Sequence, residues 1–296
     1  MKRNMEWAWR PGSDADIKAK RVVIIGGTGG IGRALSRELA ARGAHVTVVG
    51  RTFRDAGQAG IDFLQADLSL MREASRIAAL LPAETLDLLV FTTGIFAAPQ
   101  REETAEGIER DLAISYLSRR TILEGVAPRL GVTLATPGAK PRVFVMGYPG
   151  TGAAGIAEDL NAEHSYKAMP VHMNTVAGNE MLVLDAARRY RDARFFGLNP
   201  GLIKTNIRDN FFGKNSFKSR LAEALIGLFT PTAATYARRI VPLLFSPDLD
   251  MHSGAMFNSK AQAIYPSTGL TDEHIHQFMA ASEQLIARAT RAAITN

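Results

Sequence analysis

Arg21-Val-Val-Ile-Ile-Gly-Gly-Thr-Gly-Gly-Ile-Gly-Arg-Ala34 decides the fold. An apolar, β-branched run over 22–25 stops at Gly26, and glycine recurs at 27, 29, 30 and 32. Ile31, Leu35 and Leu39 follow at i, i+4, i+8, the period of one helix face. The stretch reads as strand, glycine-rich turn, helix. Such a turn gathers backbone N–H groups at the positive end of a helix, which suits a phosphate. Glycine belongs there because a Cβ would hold off a pyrophosphate and obstruct tight strand-to-helix packing.

Working outward, the same alternation repeats. Gly43 ends the first helix, as a glycine past a helix terminus does. Further strands are expected at 45–49, 61–65, 86–91, 142–146 and 194–198, with a last one at 254–258. Helices are expected from an N-cap at Ser69 to about Leu81, over 107–130, over 171–189, from Pro231-Thr232 to about Phe245, and from a Thr271 cap to about Arg291. The 86–91 run is almost wholly apolar, as a strand buried on both faces must be. Strands alternating with helices predict an α/β fold: a doubly wound, Rossmann-type, mostly parallel sheet of about seven strands with helices on both faces. No repeat or low-complexity linker interrupts the pattern, so residues 21–296 read as one domain preceded by an arm, 1–20.

Composition excludes several function classes. The chain has 296 residues, 46% of them apolar, which is enough for a sizeable core. The absence of cysteine excludes disulfides, thiolate metal sites and cysteine nucleophiles, and agrees with a reducing compartment. No apolar stretch approaches the roughly 20 residues of a membrane-spanning helix, and residues 1–10 lack the apolar core of a signal peptide, so a cytoplasmic protein is expected. The formal charge is +6, but arginines alternate with acids, as in Arg72-Glu73 and Arg101-Glu102-Glu103. Those are solvated helix faces rather than a nucleic-acid surface, so the expected partner is a small molecule. Trp7 and Trp9 predict that the arm packs on the body or on a second copy, making a homo-oligomer. No His, Asp and Glu stand at metal-ligand spacing, so no metal is expected, and no Gly-x-Ser-x-Gly elbow is present.

Gly26, Gly30 and Gly32 fit Gly-x-x-x-Gly-x-Gly, and with the surrounding run they resemble the short-chain dehydrogenase/reductase family. The resemblance extends from Arg21 to the C-terminal helix. It implies a nicotinamide dinucleotide held by the turn residues Gly26, Thr28, Gly30, Ile31 and Gly32. After the second strand an acid would accept hydrogen bonds from a ribose diol; here Arg51 stands instead. A guanidinium forks onto phosphate, and in this family such an arginine accompanies NADP(H), so NADP(H) is expected over NAD(H), with Thr28 and Arg33 assisting. The resemblance further implies that Asp67 and Leu68 meet the adenine. Thr93 and Gly94 would let the backbone pass close to the cofactor. Pro200-Gly201-x-x-x-Thr205 would contact the nicotinamide carboxamide, with Thr205 as donor.

The chain departs from the family where the chemistry should be. The family mechanism pairs a proton-transferring tyrosine with a lysine one helical turn later, a serine and an asparagine. This chain has no Tyr-x-x-x-Lys; the region reads His164-Ser-Tyr-Lys-Ala-Met-Pro-Val-His-Met-Asn-Thr175. Pro170 stands four residues after Tyr166, and Lys167 is adjacent to it. Counting back from Pro200 puts the tyrosine slot within 166–170 and the lysine slot within 170–174, where His172 or Asn174 falls. Tyr148 stands nearest the serine slot, and Ser115 occupies the asparagine slot. The catalytic candidates are therefore Tyr166, Tyr148, Ser115, His172 and Lys167. Three readings stay open. One is a reductase with a rearranged acid, in which Tyr148 or Tyr166 donates the proton and Lys167 or His172 tunes it. The second is a reductase of a C=C bond. The third is a non-catalytic NADP(H) binder acting as sensor or oligomer partner. The Phe-rich segment 206–230 reads as a lid over a small apolar carbonyl or alkene, or as a packed helix pair.

Overall fold

The structure is a computed structural model that describes residues 1–136, 138–203 and 231–295. Eight strands form one sheet: β1 Arg21–Ile25, β2 His45–Gly50, β3 Ile61–Gln65, β4 Leu88–Phe91, β5 Arg142–Met146, β6 Arg194–Leu198, β7 Met256–Phe257 and β8 Ala263–Ile264. Their spatial order is β3-β2-β1-β4-β5-β6-β7-β8. Every neighbouring pair is parallel except β7 and β8. Among the described residues the sheet therefore has eight strands where about seven are expected. The segment read as one last strand at 254–258 holds β7, and the chain then doubles back through Ala261, at φ +60°, to lay β8 beside it.

Among the described residues the helices are a single turn α1 Asp14–Ile17, then α2 Gly30–Ala41, α3 Met71–Leu80, α4 Arg110–Leu112, α5 Ser118–Val126, α6 Ala168–Arg189, α7 Ala233–Leu244 and α8 Asp272–Thr295. α4 runs into α5 through a π-helical stretch, Ala113–Leu117. Alternate strand residues serve opposite faces. Val23, Ile25, Leu89, Phe91, Val143 and Val145 join one core with α3, α5, α6 and α8. Val22, Ile24, Val46, Val48, Leu88 and Val90 join a second core with α2 and α7. Both faces are covered, as a parallel sheet requires.

Several element boundaries differ from the sequence reading, such as α6, which starts at Ala168 rather than 171, and two of the differences have a clear physical reason. α3 is not capped by Ser69: its first N–H groups, Met71 and Arg72, donate to the buried Glu106 carboxylate at 2.5 and 3.2 Å. The helix expected from residue 107 starts at Arg110, because Gly107 takes φ +73° in a turn and the Glu109 side chain caps the start by accepting from Leu112 N at 2.7 Å. The arm lies on the body. Asn4 N donates to Ala263 O at 2.9 Å, Tyr265 N to Lys2 O at 3.0 Å, and Trp9 Nε1 to Ala261 O at 2.7 Å. Trp7 stacks on His252 at 3.8 Å.

Candidate functional site

Strand order reverses at β1, whose neighbours β2 and β4 lead in opposite directions. In such sheets ligands bind outside the carboxyl ends of the strands at the reversal. The β1 end is Gly26, at φ +88°, held by Gly26 N donating to Val49 O at 2.8 Å. The β4 end is Thr92, whose N–H and Oγ1 both donate to Ile25 O, at 2.8 and 2.9 Å.

The glycines of the turn divide into two kinds. A Cβ on Gly26 would lie 2.6 Å from Thr93 N, one on Gly27 2.6 Å from Val48 Cγ1, and one on Gly32 2.4 Å from both Gly26 O and Thr92 Oγ1. Those three let the turn nest against β2 and β4. Gly29 is the N-cap of α2, and a Cβ there would meet nothing within 4 Å. Gly30 follows at φ +50°, a region that a side chain disfavours. Protein packing thus explains Gly26, Gly27 and Gly32, while Gly29 faces open space at a helix N-terminus. Thr93 Oγ1, at the β4 end, is buried without a hydrogen-bond partner among the described residues. An open cradle and an orphaned hydroxyl at the strand reversal fit a dinucleotide: Gly29 and Gly30 would face its pyrophosphate and Thr93 would meet its nicotinamide half.

Around this turn the other expected cofactor residues fall as follows. Thr28 lies against the end of β2, where a Cβ on Gly50, the residue before Arg51, would sit 2.5 Å from Thr28 Oγ1. Arg51 is exposed and makes no ion pair among the described residues. Arg33 grips the buried Asp55 through Nε and Nη2 at 2.8 and 2.7 Å, with Arg37 on the same carboxylate, and their hydrogen bonds and charge hold the Asp55 carboxyl below its usual range. Asp67 is exposed and accepts from Ser69 N at 3.1 Å; Leu68 is buried. Ile31 is half-buried against the second core. Gly94 follows Thr93 in the loop beyond β4. Pro200-Gly201 follows β6, with Gly201 at φ +67° and its N–H on Asn199 Oδ1 at 3.0 Å. Thr205 and the segment 206–230 lie outside the described residues.

The catalytic candidates separate. Ser115 and His172 are brought together by a residue the sequence reading missed, Asp111. Asp111 is fully buried. Its Oδ1 accepts from Ser115 Oγ at 2.5 Å, and its Oδ2 lies 2.7 Å from His172 Nδ1. Asp111 precedes Ser115 by one helical turn, so the i, i+4 spacing was the available signal, but nothing in the sequence pointed to His172 as its partner. Tyr166 stands apart: its hydroxyl donates to Ala98 O at 2.5 Å. Burial first, then the Glu109 and Asp111 carboxylates, push the Tyr166 hydroxyl up to about 12, opposite to what a lysine partner does in the family mechanism. Lys167 is exposed at the N-cap of α6. Tyr148 follows β5 at φ +65°, half-buried against the first core. Asn174, in the other register of the lysine slot, is buried and accepts from Ile156 N at 2.9 Å. A second missed residue, Arg119, is buried beneath these groups. It donates to Met146 O at 2.6 Å, to Asn179 Oδ1 at 2.9 Å and to Thr93 O, tying the ends of β4 and β5 to α6. Burial brings its guanidinium down to about 9 against the pull of Asp111, which leaves it charged at neutral pH.

Comparison with known proteins agrees with this geometry. The family model for short chain dehydrogenases matches residues 20–132. An uncharacterized oxidoreductase of Saccharomyces cerevisiae is 50% identical over 291 residues, covering 97% of this chain and 94% of the yeast protein. An oxidoreductase of Emericella variicolor is 25% identical over 268 residues, covering 83% of this chain and 77% of its own. Among solved structures, an uncharacterized protein of Mycobacterium paratuberculosis superposes with TM-score 0.65 at 21% identity, over 94% of this chain and 98% of its own. A Shigella flexneri protein described as a short chain dehydrogenase complexed with NADP gives TM-score 0.60 at 15% identity, over 84% and 100%. Strand–turn–helix, strand order, glycine cradle and sequence likeness agree: the chain belongs to the short-chain dehydrogenase/reductase family and is an oxidoreductase of that type.

Proposed function

We propose that the protein is an NADP(H)-dependent reductase of a small apolar carbonyl or alkene, working with an atypical proton donor. The observation that carries the cofactor choice is Arg51 directly after β2, one residue past the Gly50 against which Thr28 packs, with no carboxylate at that position and no ion pair among the described residues. A guanidinium there attracts a 2′-phosphate, while an acid would repel it. That NADP is the nucleotide bound to the Shigella protein lends support. Gly26, Gly30, Gly32, Thr93, Gly94, Pro200 and Gly201 would line the dinucleotide, and Asp67 with Leu68 its adenine. The bound cofactor supplies hydride. The chain's task is to orient the acceptor and to hold a proton beside its oxygen or carbon.

The test is titration of purified protein with NADPH and NADH, followed by a scan of ketones, aldehydes, quinones and enones for NADPH oxidation. Tighter NADPH binding with turnover on an apolar carbonyl or enone supports the reading. Tight binding without turnover across the panel favours the non-catalytic binder, which the missing Tyr-x-x-x-Lys also suggests. No binding of either nucleotide overturns both.

A further inference from the structure

We propose that His172 gives the proton to the substrate oxygen through its Nε2, and that Asp111 and Ser115 are the positioning residues that aim it. The inference deepens the reductase reading and rests on it.

The argument begins with the helix. The π-helical stretch Ala113–Leu117 adds a residue to the turn between α4 and α5. Such bulges occur often at functional sites, because they re-aim side chains that a regular helix would hold elsewhere. Here Asp111 and Ser115 face α6 from one side, with both carboxylate oxygens of Asp111 engaged: Ser115 Oγ at 2.5 Å and His172 Nδ1 at 2.7 Å. A carboxylate that is fully buried needs such donors, because burying an uncompensated charge is costly. Two donors on Asp111 make the Nδ1–H tautomer of His172 the consistent one, since an ionised carboxylate only accepts.

The imidazole is fixed on two sides. Asp111 holds Nδ1. Phe96 stacks on one ring face, with centroids 4.1 Å apart and planes 23° apart. Ser115 Oγ accepts from Ile95 N at 3.0 Å, which ties the loop carrying Phe96, and Gly94 just before it, to the same cluster. Nε2 makes no hydrogen bond among the described residues, and the side chain is 16% exposed. It is thus the one nitrogen of this ring left to exchange a proton. Neither Tyr166 nor Lys167 offers a comparable atom: the first hydroxyl is engaged by Ala98 O and the second side chain is in solvent. The Ser115 carbonyl is also taken, by Asn179 Nδ2 at 2.8 Å. The polar groups of this helix turn therefore converge on His172 by way of Asp111.

The step balances simply. In a carbonyl reduction the carbonyl carbon would take the hydride that a bound reduced dinucleotide would supply. The Nε2–H bond of the imidazolium breaks as an O–H bond forms on the substrate. The electron pair stays on Nε2, the ring is left neutral with its Nδ1–H on Asp111, and a proton from water restores Nε2–H.

The experiment uses the full chain and three variants, His172→Gln, Asp111→Asn and Tyr166→Phe. NADPH titration, kcat and KM on the best carbonyl of the panel, and proton NMR of protein labelled with 15N-histidine are recorded for each. His172→Gln is expected to bind NADPH within about twofold of the parent while kcat falls ~10²–10⁴-fold, the range of general acid–base catalysis. Asp111→Asn is expected to lower kcat ~10²–10⁴-fold with KM little changed, as loss of a carboxylate that holds an imidazole in its tautomer does. Tyr166→Phe is expected to change kcat less than about twofold. The NMR readout is independent of turnover: a slowly exchanging Nδ1–H signal of His172, lost in Asp111→Asn. If Asp111→Asn does not fold, His172→Gln decides the question, because its ring sits at the edge of the core. Parental kcat in His172→Gln with NADPH bound overturns the proposal, and so does collapse of kcat in Tyr166→Phe. Failure of the parent to bind NADPH, with the His172 signal intact, overturns the reductase reading rather than the His172–Asp111 geometry.

Discussion

At Gly32 an added Cβ would lie 2.4 Å from the Gly26 carbonyl oxygen, whereas at Gly29 it would meet nothing within 4 Å. Gly32→Ala therefore forces the α2 N-terminus away from β1, an overpacking that costs ~1–3 kcal/mol. It is expected to lower the thermal midpoint measured without any nucleotide. Gly29→Ala is expected to leave that midpoint nearly unchanged, as an exposed change does within ~0.5 kcal/mol, while weakening dinucleotide binding in a titration. At Arg51 the expected outcome is selective. Arg51→Ala weakens NADPH by ~10–100-fold, the worth of one charge-assisted contact, and leaves NADH within about twofold. Equal weakening of both would remove the 2′-phosphate role. The glycine spacing and Arg51 were legible in the sequence because each sits a fixed count past an apolar run. The division of the glycines was not, because it depends on what the neighbouring strands bring up against each one.

Elements in this fold are finished by residues distant in sequence. α3 begins on Glu106, which accepts from Met71 N and Arg72 N. Ser69 looked like the cap because it stands at the right place along the chain. Glu106→Ala is expected to cost ~1–2 kcal/mol, the upper range for a lost cap, and to speed hydrogen exchange at Met71 and Arg72 before the rest of α3. Glu109 closes the start of α4, and there burial outweighs the hydrogen bond from Leu112 and pushes its carboxyl up to about 7 from 4.5. The folded protein thus holds a proton that the unfolded chain releases between those values. Stability is full below pH ~4.5 and falls as pH rises through ~7, by a few kcal/mol at most. Glu109→Gln is expected to flatten this slope in denaturation measured from pH 5 to 8, and to exceed the parent in stability at pH 8. An unchanged slope would show that Glu109 is ionised in the fold at acidic pH.

Across the whole molecule, residues 2–4 pair with the 263–265 segment and cover the last strand of the sheet. An uncovered strand edge is a template for another chain. Removal of residues 1–10, which also takes Trp7 from His252, is expected to lower the thermal midpoint by several degrees. It is also expected to increase concentration-dependent association in sedimentation. A fall in association would instead make the arm a contact between copies. Sequence by itself determined the class of the fold, the glycine-rich turn after the first strand and the place of Arg51. Those follow from local periodicity and glycine, which act within a few residues. Tertiary structure alone decided that β8 and the arm complete the sheet, that Glu106 caps α3, and that His172 meets Asp111 across 61 positions while Tyr166 turns to Ala98. A buried carboxylate takes whatever donor the packed helices bring within reach, and no spacing along the chain encodes that distance.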